Sequence, residues 1–128
     1  MTGYLWRAFL KAGYFSGGSG YVLSREALKR IVEEAIDKHL LCPVVDGDKE
    51  DVKMSTCGQA VGVKLNETIG LDGRPAFYPY DVGEYAEEML RGRKTPLNPH
   101  HVSFHYMNAT RMYIMEFSLY YLRPVGLR

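Results

Sequence analysis

Apolar and polar positions change their rhythm several times along this chain. The glycine-rich stretch Ser16-Gly-Gly-Ser-Gly20 leads into a short apolar run, Tyr21-Val-Leu23, which predicts an extended segment. Ser24 offers an N-cap, and Leu28, Ile31, Val32, Ala35 and Ile36 then recur at helical spacing. Together they predict a helix of about fifteen residues with one apolar stripe. Glu26 with Arg30 and Glu34 with Lys38 supply i,i+4 pairs for its wet face.

The pattern then breaks over residues 43–48, which predicts a loop. A second helix is expected to start near residue 48 or 50 and to run to residue 60 or 61, with Gly62 as its stop. Asp72-Gly73 marks a turn, and Phe77-Tyr-Pro-Tyr80 reads as an edge strand or extended segment. Residues 91–101 hold Gly92, Pro96, Asn98 and Pro99 and predict a loop, followed by strand-like alternation over 102–106. A last helix is expected over 108–122, with Met112, Met115, Leu119 and Leu122 on one face and Pro124 as its stop. Short mixed strands with three helices make an α/β unit, and strands this few suggest part of a larger sheet.

Composition narrows the classes. At 128 residues the chain is at most one domain, and a net charge of +1 gives no electrostatic surface for nucleic acid. No run approaches the ~20 apolar residues that span a bilayer, and the first residues lack the basic and apolar regions of a signal peptide. Taken alone, these features point to the cytosol. Two sequons, at Asn66 and Asn108, point the other way, although Asn108 also stands where a helix cap is wanted and Asn66 in a polar turn. Cys42 and Cys57 could be two buried thiols or a bridge worth about 3 kcal/mol. Composition leaves that choice open.

Candidate chemistry is sparse. Glu50-Asp51 opens the second helix, where acids interact favourably with the macrodipole. The same rigid place could aim a general base at a substrate hydroxyl. His105, on a short strand, is either a hydrogen-bonded structural residue or a metal ligand through a neutral ring nitrogen. The glycines at 17, 18 and 20 precede a strand instead of following one, so they are not a dinucleotide fingerprint. They permit a tight turn or a close approach of backbone to a ligand.

Three blocks, in order, add a family. Gly13-Tyr-Phe-Ser-Gly-Gly-Ser-Gly-Tyr-Val-Leu-Ser-Arg-Glu-Ala-Leu28 resembles the tyrosine–glycine–glycine segment of the Fringe-like β1,3-glycosyltransferase superfamily. Glu50-Asp-Val-Lys-Met-Ser-Thr-Cys57 matches its Glu-Asp-Val/Leu block. Ser103-Phe-His-Tyr-Met-Asn-Ala-Thr-Arg-Met-Tyr113, continuing to Tyr121-Leu-Arg-Pro124, looks most like the core 1 β1,3-galactosyltransferases.

That resemblance implies the C-terminal, acceptor-side portion of a GT-A type α/β domain. It implies inverting transfer of galactose from UDP-galactose to the 3-hydroxyl of O-linked GalNAc on a glycoprotein, with Mn²⁺, in a type II Golgi membrane protein. By resemblance, Asp51 is the base, Glu50 supports the site, Ser16, Gly17 and Gly18 line the substrate cleft, and His105 completes the metal shell. The resemblance also favours a Cys42–Cys57 disulfide, makes glycosylation at Asn66 and Asn108 credible, and leaves a homodimer open. The chain departs from the family in two places. The Asp-x-Asp that holds metal and diphosphate, upstream of these blocks in family members, has no counterpart ahead of the glycine segment, and the nucleotide-binding half and membrane anchor are expected outside the chain. Residues 81–101 are short and lack the family's acceptor-loop tryptophans, since the single tryptophan is Trp6. The alternative is a non-catalytic, chaperone-like or interaction module of the same family.

Overall fold

A computed structural model describes residues 1–8, 10–42 and 49–126. The loop expected over 43–48 lies outside the described residues.

The strands are two residues each: β1 (Thr2–Gly3), β2 (Leu5–Trp6), β3 (Tyr14–Phe15), β4 (Tyr21–Val22), β5 (Asn66–Glu67), β6 (Phe77–Tyr78) and β7 (Ser103–Phe104). The central strand β1 pairs antiparallel with β4, Thr2 opposite Val22, and parallel with β5, Thr2 opposite Asn66. The strands β2 and β3 form an antiparallel pair, and β6 and β7 a parallel one. Asn66 is thus a strand residue and not part of a turn, because its N–H donates to the Met1 carbonyl at 3.1 Å. Small sheets of short strands with helices between them make the mixed α/β architecture that the pattern predicts.

Ser24 caps α1 (Arg25–Arg30), its side-chain oxygen accepting the Ala27 N–H at 3.1 Å. The helix continues as a π-helical turn, Ile31–Ala35, closed by the Ile36 N–H on the Ile31 carbonyl. It ends there, at eleven residues instead of about fifteen, because Asp37 turns left-handed at φ 59°. The buried stripe is Ala27, Ile31 and Ala35, whereas Leu28, Val32 and Ile36 stay exposed. Glu26 pairs with Arg30 at 2.8 Å, but Lys38 lies beyond the helix end and its ammonium donates to the Glu33 carbonyl.

The helix α2 (Glu50–Ala60) occupies the expected span, and Gly62, at φ 75°, stops it. Cys42 and Cys57 form a disulfide, with Cα atoms 4.7 Å apart. The bridge lies in one core with Ala27, Ile31, Ala35 and Val63, and it ties α2 to the segment that follows the first helix.

A helix absent from the sequence expectation, α3 (Val82–Leu90), raises the number from three to four. Asp81 makes it possible: its buried carboxylate accepts the Gly83 and Glu84 N–H groups and pairs with Arg111 at 2.7 Å. Tyr85 packs edge-on against the buried Tyr78 ring, which stacks on Phe104. Residues 91–101 form the expected loop, pinned by Arg74, which donates to the Pro96 and Leu97 carbonyls. Asn108 caps α4 (Ala109–Glu116), which runs into a π-helical turn, Phe117–Tyr121. None of these residues is buried, so the apolar face of the last helix is open. Among the described residues no helix is long and apolar enough to cross a membrane.

Candidate active site

The strand β3 lies against α2 because two side chains of the helix satisfy its backbone. The buried Ser55 hydroxyl accepts the Phe15 N–H at 3.1 Å, and the Gln59 amide donates to the Gly13 carbonyl at 3.0 Å. This docking carries the glycine turn that follows β3 over the N-terminus of α2. There the Gly17 N–H donates to Asp51 Oδ2 at 3.0 Å, while the Val52 N–H donates to Oδ1 at 2.8 Å. Each carboxylate oxygen keeps a further lone pair, so the group is aimed without being used up.

The other wall comes from the end of the chain. After β7 the His105 N–H donates to the Tyr78 carbonyl at 3.0 Å, extending the pairing with β6. The Ser103 hydroxyl bonds the Ser19 carbonyl and ties the late strand to the early turn. The imidazole of His105 fills the place where a side chain at residue 18 would stand: a Cβ on Gly18 would be 1.9 Å from Cε1 and 2.0 Å from Nε2. Only glycine fits there.

Asp51 and His105 therefore face one cleft of about 290 Å³, which Ser16 and Gly18 also line. Gly17 packs behind them, where a Cβ would stand 3.1 Å from that of Asp51. Glu50 is placed differently: its carboxylate accepts the Tyr21 hydroxyl and does not line the cleft. Burial, reinforced by that bond and by the negative charge of Glu50, raises the Tyr21 phenol above its ordinary value. Asn66 and Asn108 are both exposed, the latter capping α4 through its side-chain oxygen.

The rest of the lining was not singled out in the sequence. Trp6, Tyr14, Pro79, Tyr80 and Tyr106 complete the cleft. Burial first, and then the charge of Asp51, raise the Tyr14 phenol, so a protonated hydroxyl stays beside the carboxylate. Tyr14 lies inside the tyrosine–glycine–glycine block, and that was its available signal. Tyr106 stacks on the His105 ring at 3.7 Å from a left-handed backbone, φ 55°, unusual for a bulky residue. Its N–H donates to His105 Nδ1 at 2.7 Å.

That bond bears on metal binding. With Nδ1 accepting, the neutral ring carries its proton on Nε2, and ligation through Nε2 would cost the Tyr106 bond, about 1 kcal/mol. Among the described residues no three His, Cys, Asp or Glu side chains converge to hold a metal. Asp46-Gly-Asp48 has the spelling of an Asp-x-Asp, but it lies outside the described residues. The described residues do not build a metal centre by themselves.

No protein-family profile matches the chain. Over 139 aligned positions it is 31% identical to a glycoprotein-N-acetylgalactosamine 3-beta-galactosyltransferase 1 of Xenopus laevis. The alignment takes in 94% of this chain, which spans about 37% of that relative's length. Across nearly all of its own length, then, the chain is similar to one part of a galactosyltransferase.

Proposed function

We propose that these residues are the acceptor-side part of a Golgi β1,3-galactosyltransferase. In this reading Asp51 takes the proton from the 3-hydroxyl of an O-linked GalNAc. The freed oxygen attacks the anomeric carbon of UDP-galactose, the bond to UDP breaks, and configuration inverts. A carboxylate held on both oxygens by backbone N–H groups, with lone pairs left over, is fit to position and deprotonate a hydroxyl. The observation that carries the reading is the shared cleft of Asp51, Ser16, Gly18 and His105, built from all three blocks of the family resemblance. Tyr14, Trp6 and Tyr80 supply hydroxyl and ring faces for the sugar, while Glu50 acts at one remove, through Tyr21.

Manganese dependence would require ligands beyond the described residues, with His105 contributing at most one, so no step is assigned to the metal. It follows that the 128-residue chain transfers little or no galactose by itself. Measurable UDP-galactose turnover by the purified chain would refute this. With an upstream nucleotide-binding region joined to it, Asp51→Asn should lower transfer to a GalNAc-peptide by about 10²–10⁴-fold. Full activity in that variant would remove the base assignment.

The Tyr106 N–H on His105 Nδ1, which opposes metal ligation through Nε2, favours a second reading, a non-catalytic, chaperone-like module of the same family. The joined protein separates the two, since such a module would transfer nothing with or without Asp51.

A further inference from the structure

Beside the cleft, and sharing Pro79 and Tyr80 with it, lies a second hollow of about 340 Å³. Tyr4, Tyr80, Tyr85, Arg93 and Lys94 are among its lining residues. The Lys94 ammonium sits 4.9 Å from the centre of the Tyr80 ring and 4.7 Å from that of Tyr85. Among the described residues no carboxylate lies within ion-pair distance of it. Arg93 has only a long contact to Glu88, at 3.5 Å, with its side chain 65% exposed.

The Lys94 ammonium is oriented by the two rings, and the chain beyond it is anchored. Arg74 donates to the Pro96 and Leu97 carbonyls, and the Asn98 N–H donates to the buried Tyr78 hydroxyl at 2.8 Å. These bonds fix the loop just after Lys94. The two rings orient the ammonium without neutralising it, since a ring face supplies a quadrupole and not a counter-charge. A partly desolvated cation with donors to spare gains most from an anionic oxygen. Trp6, edge-on to both Tyr80 at 6.1 Å and Tyr4 at 5.3 Å, stands where the two hollows meet.

We propose that the Lys94–Arg93 hollow is an anion subsite that receives a carboxylate carried by the acceptor while the acceptor sugar lies in the cleft. The proposal rests on the galactosyl-transfer reading for what occupies the cleft, but the anion site itself can be tested without that reading. The carboxylate could belong to an acidic peptide side chain or to a uronic acid.

Trp6, the single tryptophan, reports on both hollows. Its fluorescence is titrated on the 128-residue chain with four probes: a GalNAc-peptide flanked by glutamates, the same peptide with glutamines, the glutamate peptide without GalNAc, and free glucuronate. The glutamate GalNAc-peptide should bind about tenfold tighter than its glutamine twin, the advantage of one charge-assisted contact. Arg93→Gln with Lys94→Gln should erase that difference and leave the glutamine peptide unaffected, while Lys94→Arg should keep it. Tighter binding of the glutamate peptide than of glucuronate assigns the carboxylate to peptide, and the reverse order assigns it to a sugar acid. Equal affinity for the two GalNAc-peptides, or a preference that survives loss of both cations, overturns the proposal. If the glutamate peptide binds through Lys94 equally well with and without GalNAc, the subsite stands and the cleft's sugar assignment falls.

Discussion

Gly18 shows how one atom's absence shapes this site. The His105 imidazole occupies the volume a methyl group would need, so Gly18→Ala must push the ring out of the cleft. We expect a loss of about 1–3 kcal/mol in stability, read from denaturant midpoints, and a changed His105 ring resonance. An unchanged resonance would mean that the ring does not rest on residue 18. Tyr21 gives a test in pH. Its folded-state pKa is raised, so the fold holds this proton more tightly than the unfolded chain does. That contribution is complete below pH 10 and is lost as pH rises beyond it. The melting temperature should therefore fall above pH 10, less steeply in Tyr21→Phe, with Tyr4, Tyr14 and Tyr78 accounting for the remaining slope. A residue scale also marks what could be read in advance. Asp51, His105 and the glycines were legible as types in a pattern. The Nδ1 bond of His105 was not, because it depends on the backbone angle of Tyr106.

Among the elements, α2 and α1 were readable because caps, stops and apolar spacing agree there. Ile31 and Ala35 of the expected stripe are buried, whereas the choice of Ala27 over Leu28 beside them was not readable, because it depends on which face meets the disulfide core. The helix α3 was legible but missed: Asp81 is an N-cap residue, and Val82, Tyr85, Ala86 and Met89 recur at helical spacing. The pairing of Asp81 with the distant Arg111 was not legible. The Cys42–Cys57 bridge closes a sequence separation of 15 and sits in the core that α2 shares with the first helix. Replacing both cysteines by alanine should cost about 2–4 kcal/mol, seen as a lower urea midpoint. A cost near zero would show that the core holds the helices together without the bond.

On the scale of the whole molecule, apolar surface is distributed unevenly. The helix α4 and its π-turn expose Met112, Tyr113, Ile114, Phe117, Leu119 and Tyr121, and the Phe117 ring stacks with that of Tyr121 at 6.2 Å. A substitution there removes little buried packing, since Phe117 is more than half exposed. Phe117→Ser should change thermal stability by less than about 0.5 kcal/mol, whereas a drop of several would mean that the face is covered in solution. The apolar face of this helix was legible in its spacing, but not that it would stay open, because periodicity reports a face and not what lies against it.

The bond from Ser103 to Ser19 spans 84 positions of the chain. Such a closure has a timetable: a ribosome must deliver residue 103 before the early turn at residue 19 can meet its late partner. Until then the carboxylate has only half its surroundings, so maturation of the cleft should lag behind the local helices as the nascent protein emerges.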